Sequence, residues 1–479
     1  MTGKDPAMTL LARVLLSACL LVAPTEAALA ASPAPAAAPS VAAAERWQGE
    51  LKAGAMTIRL NVRLIPGPDG TYTGTLDVPD QGATGLPLDH IEVSADRLAF
   101  GVERIGVRFE GRREPGGRAI AGEWRQGGAA LPLTLTSGVA DRARKPQEPR
   151  PPFPYRAEAV TYTNPADGAK LAGTLTLPEG QGPFPVALLI TGSGAQDRDE
   201  TLFGHKPFWL IADTLTRRGV AVLRVDDRGV GGSTGTPQTD TTDTFAGDVA
   251  AGVAFLRGRR DIDPARVGLV GHSEGGIIAP MVAARDPKLA YVVLLAGSGV
   301  PGADITVRQV EAIARGSGQP EAVVAEKVKL QRAIMAALVE EKDPARARAR
   351  LRPLLVQAGL QGDALDQQLD ALMSPWFRRF VALDPRVYLA RVNCPVLALN
   401  GALDTQVDAT VNLGAIARAL GHNRDVTTRA LPGLNHLFQT ARTGLVEEYG
   451  QIDETFAPAA LTLMADWVVA KTWPQAPSK

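Results

Sequence analysis

The pentapeptide Gly271-His272-Ser273-Glu274-Gly275 stands between two segments of different character. Before it, Arg266-Val267-Gly268-Leu269-Val270 is a mostly apolar run, the pattern of a strand covered on both faces. After it, Gly276-Ile277-Ile278-Ala279-Pro280-Met281 begins a helix. Strand, sharp turn and helix around G-x-S-x-G form a nucleophile elbow. Such an elbow holds the serine hydroxyl at the C-terminal edge of a sheet and at the positive end of a helix. The competing reading is a chain that keeps the elbow and has lost the chemistry.

A serine hydroxyl needs an adjacent base to act as a nucleophile near neutral pH. On a sheet with this elbow the acid and then the histidine follow the serine in the chain. Of the five histidines, His90 and His205 precede Ser273, and His272 belongs to the elbow itself. His422 follows a helix, where a solvated histidine is the plain reading. His436, in Leu431-Pro432-Gly433-Leu434-Asn435-His436 just past the last strand, is the expected base. Asp404 turns off the end of Val396-Leu397-Ala398-Leu399-Asn400 and is the expected acid, placed to accept the Nδ1 proton. Asp408 is its rival, but it suits the first turn of the following helix.

An oxyanion needs backbone donors. The first expected one is the amide of Glu274, next to the nucleophile. The second is the amide of Ser193 in Thr191-Gly192-Ser193-Gly194, with Gly194 as runner-up. The charge clusters Asp197-Arg198-Asp199 and Asp226-Asp227-Arg228 are read as bracing this loop rather than touching substrate. Trp376 and Phe377, with Phe380, are read either as an acyl pocket or as packing between helices and sheet. There is no H-E-x-x-H, phosphate loop or dinucleotide fingerprint, so no metal or cofactor is expected.

The rest of the chain falls into blocks. Residues 1–30 read as a secretory signal: Arg13, the apolar run Val14–Ala23, then Ala28-Leu29-Ala30 as the cut. Leu16-Ser17-Ala18-Cys19 offers lipoprotein processing as an alternative. The run is too short to span a bilayer. Export to the periplasm or medium is the expectation. Residues 31–44 are an Ala/Pro tether. Residues 45–138 show short alternating segments, Ile58, Leu60, Val62 and Leu64 among them, and predict a small β barrel or sandwich. Residues 139–156 are Pro-rich and charged, a linker. From residue 157 to 479 strands and helices alternate as in a doubly wound α/β sheet. A helical interval at about 303–382 interrupts that rhythm and predicts a cap. Lys+Arg and Asp+Glu are 51 each, so nothing calls for nucleic acid or an anionic membrane as partner.

Five segments together resemble bacterial exported α/β-hydrolases, described as carboxylesterases or as relatives of serine aminopeptidase and prolyl-oligopeptidase-like hydrolases. They are Thr191–Asp199, Val225–Gly231, Gly271–Gly276, Gly401–Asp404 and Leu431–His436. Asp77-Val78-Pro79-Asp80-Gln81-Gly82-Ala83 resembles the N-terminal β domain of such proteins. One departure is Thr191, where many of them carry histidine. The resemblance implies an α/β-hydrolase fold with a helical cap and hydrolysis of a small-molecule carboxylic ester through an acyl-enzyme. The alternatives are a peptidase using the same triad and, more distantly, a binding protein acting through its β domain. No propeller-like repeat is visible to support prolyl-oligopeptidase architecture.

Overall fold

The computed structural model describes residues 45–53, 56–67, 70–78, 83–102, 105–126, 129–138, 145–235 and 239–473. The signal, its cut at Ala30, Cys19 and the Ala/Pro tether lie outside them. The chain divides into two compact units.

The first unit is built on nine strands: β1 Glu45–Ala53, β2 Met56–Pro66, β3 Tyr72–Val78, β4 Ala83–Pro87, β5 Asp89–Val93, β6 Arg97–Val102, β7 Val107–Arg113, β8 Ala119–Gln126 and β9 Ala129–Ser137. They form one sheet in the order β4-β3-β2-β1-β9-β8-β7-β6-β5. The ladders between neighbours are antiparallel. Leu88 alone separates its two edge strands in the chain. On β2, Ile58, Leu60, Val62 and Leu64 are buried while Thr57 and Arg63 are exposed, because successive side chains point to opposite faces. The buried set joins Trp47, Phe100, Phe109 and Trp124 in one core. The segments Leu202–Gly204 and Gly359–Gln368 group with this unit.

The second unit carries an eight-stranded sheet: β10 Tyr155–Thr163, β11 Lys170–Pro178, β12 Phe184–Ile190, β13 Ala221–Val225, β14 Ile262–His272, β15 Tyr291–Leu295, β16 Val396–Gly401 and β17 Val426–Leu431. Its order is β10-β11-β13-β12-β14-β15-β16-β17. The ladders from β13 to β17 are parallel, and β10 and β11 are antiparallel additions at one edge. The helices are α1 Pro207–Thr216, α2 Thr242–Arg257, α3 Gly275–Ala283, α4 Gly302–Gly316, α5 Glu321–Glu340, α6 Pro344–Gln357, α7 Gly362–Met373, α8 Pro375–Ala382, α9 Arg386–Leu389, α10 Ala409–Ala419 and α11 Pro458–Thr472. α4 to α9 fill the interval between β15 and β16.

Both faces of the sheet are covered. On β12, Val186, Leu188 and Ile190 pack with Val249, Ile277 and Leu413 in one core. Ala187 and Leu189, on the opposite face, pack with Phe208, Leu215 and Met464 in another. Burying each such leucine contributes roughly 2 kcal/mol, which is why the central strands contain so few polar residues. The expected linker is anchored from residue 145 onward. Lys145 Nζ donates to the Ile452 carbonyl at 2.7 Å, and Gln147 Oε1 accepts from the Thr455 amide at 2.6 Å. Prolines leave this stretch short of backbone donors, so side chains do the fastening.

The order places β13 on one side of β12 and β14 on the other. The connections after β12 and β13 therefore run in opposite directions, and a crevice opens at the strands' C-terminal ends. Register aligns those ends. Ile190 pairs with Gly271, Gly271 with Leu294, Leu294 with Ala398, and Ala398 with Thr428. The loops bearing residues 191–194, 273, 404 and 436 all leave the sheet shortly beyond this one row.

Candidate active site

Ser273 follows β14 directly and has φ +53°, the left-handed region that side chains other than glycine's seldom occupy. Its amide donates to the Leu295 carbonyl at 2.9 Å, which pins the turn to β15. A Cβ on Gly271 would strike the Gly275 carbonyl, and one on Gly275 would strike that of Ile190. Both flanking glycines are thus dictated by backbone approach.

Asp404 lies past the end of β16 and is buried. Its Oδ1 accepts the amides of Gln406 and Val407, each at 2.8 Å, and its Oδ2 meets His436 Nδ1 at 2.7 Å. Neutral His436 therefore carries its proton on Nδ1 and keeps a basic lone pair on Nε2. The loop that presents the ring is organised by buried Asn435, whose Oδ1 accepts the amides of Leu437 and Gln439. The structure thus brings Asp404 and His436 together and turns Ser273 out at the same sheet edge. Among the described residues the Ser273 hydroxyl makes no hydrogen bond with the imidazole. Contacts of this kind often tighten only in the substrate complex. Asp408 accepts the Val411 amide at 2.7 Å and caps α10. His422 Nε2 meets the Val392 carbonyl at 3.0 Å.

The loop after β12 is held from below. Thr191 Oγ1 donates to Asp227 at 2.7 Å, and the Gln196 amide donates to the same carboxyl at 2.9 Å. The protein packed around Asp227 strips hydration from its carboxyl and raises its pKa well above the usual carboxylate range, against the pull of those donors. The Gly192 amide donates to Glu200 at 2.7 Å. Among the described residues the Ser193 and Glu274 amides have no backbone acceptor. Arg198 grips Asp226 through two N–H groups, Nε to Oδ1 at 2.9 Å and Nη2 to Oδ2 at 2.5 Å. Burial works against the Asp226 charge, but Arg198 and backbone donors still hold its pKa below the usual value.

Glu274 is buried and accepts the Thr242 hydroxyl at 2.7 Å and the Trp376 indole N–H at 3.0 and 3.1 Å. Burial nevertheless raises its pKa, against these donors and the Ser193 hydroxyl. Trp376 stacks on Phe380 with ring centres 5.5 Å apart. Phe377 is buried beside it. A cavity of about 50 Å³ behind the loop is lined by Thr191, Gly192, Asp227, Glu274, Phe245 and Ile278. It is too small to take a substrate acyl chain. Among the described residues no group of side chains is arranged to hold a metal ion, and no helix is long and apolar enough to cross a membrane.

Two side chains important to this geometry escape the sequence reading, Glu200 and His272 as a bonded group, whereas Asp227 braces the loop as expected of its cluster. The only local signal is the density of acidic residues around Arg198 and Arg228.

A parallel sheet wrapped by helices, with its elbow at the switch point and an Asp–His pair at the same edge, is the α/β-hydrolase fold. The chain belongs to the X-Pro dipeptidyl-peptidase (S15) family, whose model matches residues 167–421, more than half of its length. It is 35% identical to the esterase EstD of Thermotoga maritima over 131 residues, which is 27% of this chain and 31% of EstD. The chain thus spans about a third of that relative's length. The structure is similar to that of the Pyrococcus furiosus esterase Pf2001, with a TM-score of 0.42 and 16% identity, over 71% of this chain and 97% of that one. It is also similar to Est1E of Butyrivibrio proteoclasticus with ferulic acid bound, with a TM-score of 0.40 and 16% identity, over 65% and 96% of the two chains.

Proposed function

We propose that the protein is a serine hydrolase that cleaves small-molecule carboxylic esters. The observation that carries this reading is the Asp404–His436 hydrogen bond beside an elbow whose serine is held at φ +53°. In this mechanism Ser273 Oγ attacks the ester carbonyl and His436 Nε2 takes its proton. Asp404 stabilises the imidazolium, and the amides of Ser193 and Glu274 receive the oxyanion. Collapse of the tetrahedral intermediate expels the alcohol, which takes the proton back from His436. Water deprotonated by His436 then attacks the acyl-enzyme and releases the acid.

The family name favours a second reading, cleavage after an X-Pro dipeptide. Such a substrate presents an ammonium group that calls for an accessible carboxylate. Glu200 and Glu274 are buried, Asp227 is half-buried, and all three are bonded to other groups, which supports the ester reading. The relative named an esterase supports it too. The test compares p-nitrophenyl acyl esters with X-Pro anilides, alongside fluorophosphonate labelling of wild type and Ser273→Ala. Faster turnover of esters and labelling confined to wild type are expected. Preference for the anilides would replace this reading with the peptidase one.

A further inference from the structure

Close to the Asp404–His436 pair lies a second histidine–carboxylate pair, made by Glu200 and His272. The His272 and His436 ring centres are 4.9 Å apart. Glu200 Oε1 accepts the Gly192 amide at 2.7 Å and faces His272 Nδ1 at 2.8 Å. His272 Nε2 faces the carbonyl of His436 at 3.1 Å. That carbonyl can only accept, so Nε2 carries a proton. At 2.8 Å, Nδ1 and Oε1 would repel each other as bare lone pairs, so a second proton lies on the line between them. The pair is therefore neutral as a whole; its directed bonds converge on Oε1, while Glu200 Oε2 is buried without a hydrogen-bond partner among the described residues. Both side chains are buried, and Glu200 is held at φ +51°. A strained backbone of this kind persists where its surroundings over-determine it.

The three partners belong to three separate loops: Gly192 to the oxyanion loop, His272 to the elbow, His436 to the base loop. Resting on the serine-hydrolase reading above, we propose that Glu200 and His272 are positioning residues that fix these three loops relative to one another. Neither touches the reacting atoms. Glu200 sets where the Ser193 amide stands, and His272 sets where the backbone of His436 stands. A misplacement of about 1 Å at such groups costs on the order of a hundredfold in rate.

The test uses the full chain with p-nitrophenyl butyrate, a trifluoromethyl ketone that forms a tetrahedral adduct on the serine, and the butyrate product as ground-state ligand. Fluorophosphonate labelling of wild type is measured first. A wild type that takes no label overturns both this proposal and the reading it rests on. With labelling established, Glu200→Ala is expected to lower kcat by about a hundredfold with KM nearly unchanged. Ketone affinity should fall in step with kcat, and butyrate affinity should hold. Glu200→Gln keeps one of the two links and should fall between wild type and Glu200→Ala. It also carries the test where the alanine variant does not fold. Full kcat in the glutamine variant, or equal losses of ketone and butyrate affinity, would overturn the proposal, since a merely structural role moves both ligands alike.

Discussion

Asp404 and His436, 32 residues apart in the chain, are joined by a 2.7 Å hydrogen bond beyond the ends of adjacent strands. Gly401 pairs with Leu431 across those strands, so both loops start from one level. The same carboxylate caps its own turn through two amides, which leaves it no freedom to swing away.

Asp404→Asn should preserve the fold and remove most of the activity. An amide N–H facing Nδ1 forces the proton onto Nε2 and leaves no base toward Ser273. A loss of about 10⁴-fold in kcat is expected. Steady-state ester hydrolysis with a parallel melting curve checks it, and a loss below tenfold would remove Asp404 from the mechanism.

Asp227→Asn should change how stability depends on pH. The folded-state pKa of Asp227 is raised well above its unfolded value, so the unfolded chain releases this proton first. The contribution of Asp227 is full at acid pH and is lost as pH rises from the ordinary carboxylate range toward the raised value. The variant removes that loss, so its melting temperature should decline less than that of wild type as pH is raised from 4 to neutrality. Matched thermal scans at several pH values settle the sign.

Trp376 joins helix α8 to the elbow through Glu274. Trp376→Phe keeps an aromatic ring against Phe380 and deletes the donor, leaving a buried carboxyl with one partner fewer. A destabilisation of about 1–3 kcal/mol is expected from chemical denaturation. Trp376→Ala reports on the acyl pocket. A shift of preference toward longer p-nitrophenyl esters fits a pocket wall, and a uniform drop across chain lengths fits packing alone.

We propose export through the N-terminal segment. Expression of the full chain in a bacterium should yield a mature protein beginning at Ala31, in the periplasm or medium. Edman or mass-spectrometric determination of the N-terminus checks it, and a lipid-modified Cys19 would establish the alternative route.

The parts of the molecule most legible in the sequence are those written locally. The strand before Ser273 ends in a mostly apolar run, the two elbow glycines fall within five residues, and the histidines that follow are few enough for order alone to choose His436. Asp404 and Asp408 were separable because one ends a strand and the other starts a helix. Pairings across distant segments were not legible. His272 reads as an elbow filler until Glu200, 72 residues earlier, is seen against it. Asp227 differs from Asp226 only in which way the chain turns after Val225, yet one holds Thr191 and the Gln196 amide and the other pairs with Arg198. In the first unit, β4 and β5 are only five residues each, so the register of their neighbours defines them.

The alignment of strand ends along Ile190, Gly271, Leu294, Ala398 and Thr428 has an engineering corollary. The layout of the proposed catalytic groups is referenced to backbone ladders, so insertions at the opposite rim of the sheet, such as the turn between β11 and β12, leave that reference frame untouched. A single residue added within β14 or β16 would shift it for every strand beyond. The protein should therefore tolerate fusion tags or new chain termini at that far rim while refusing even a one-residue change in the length of its central strands.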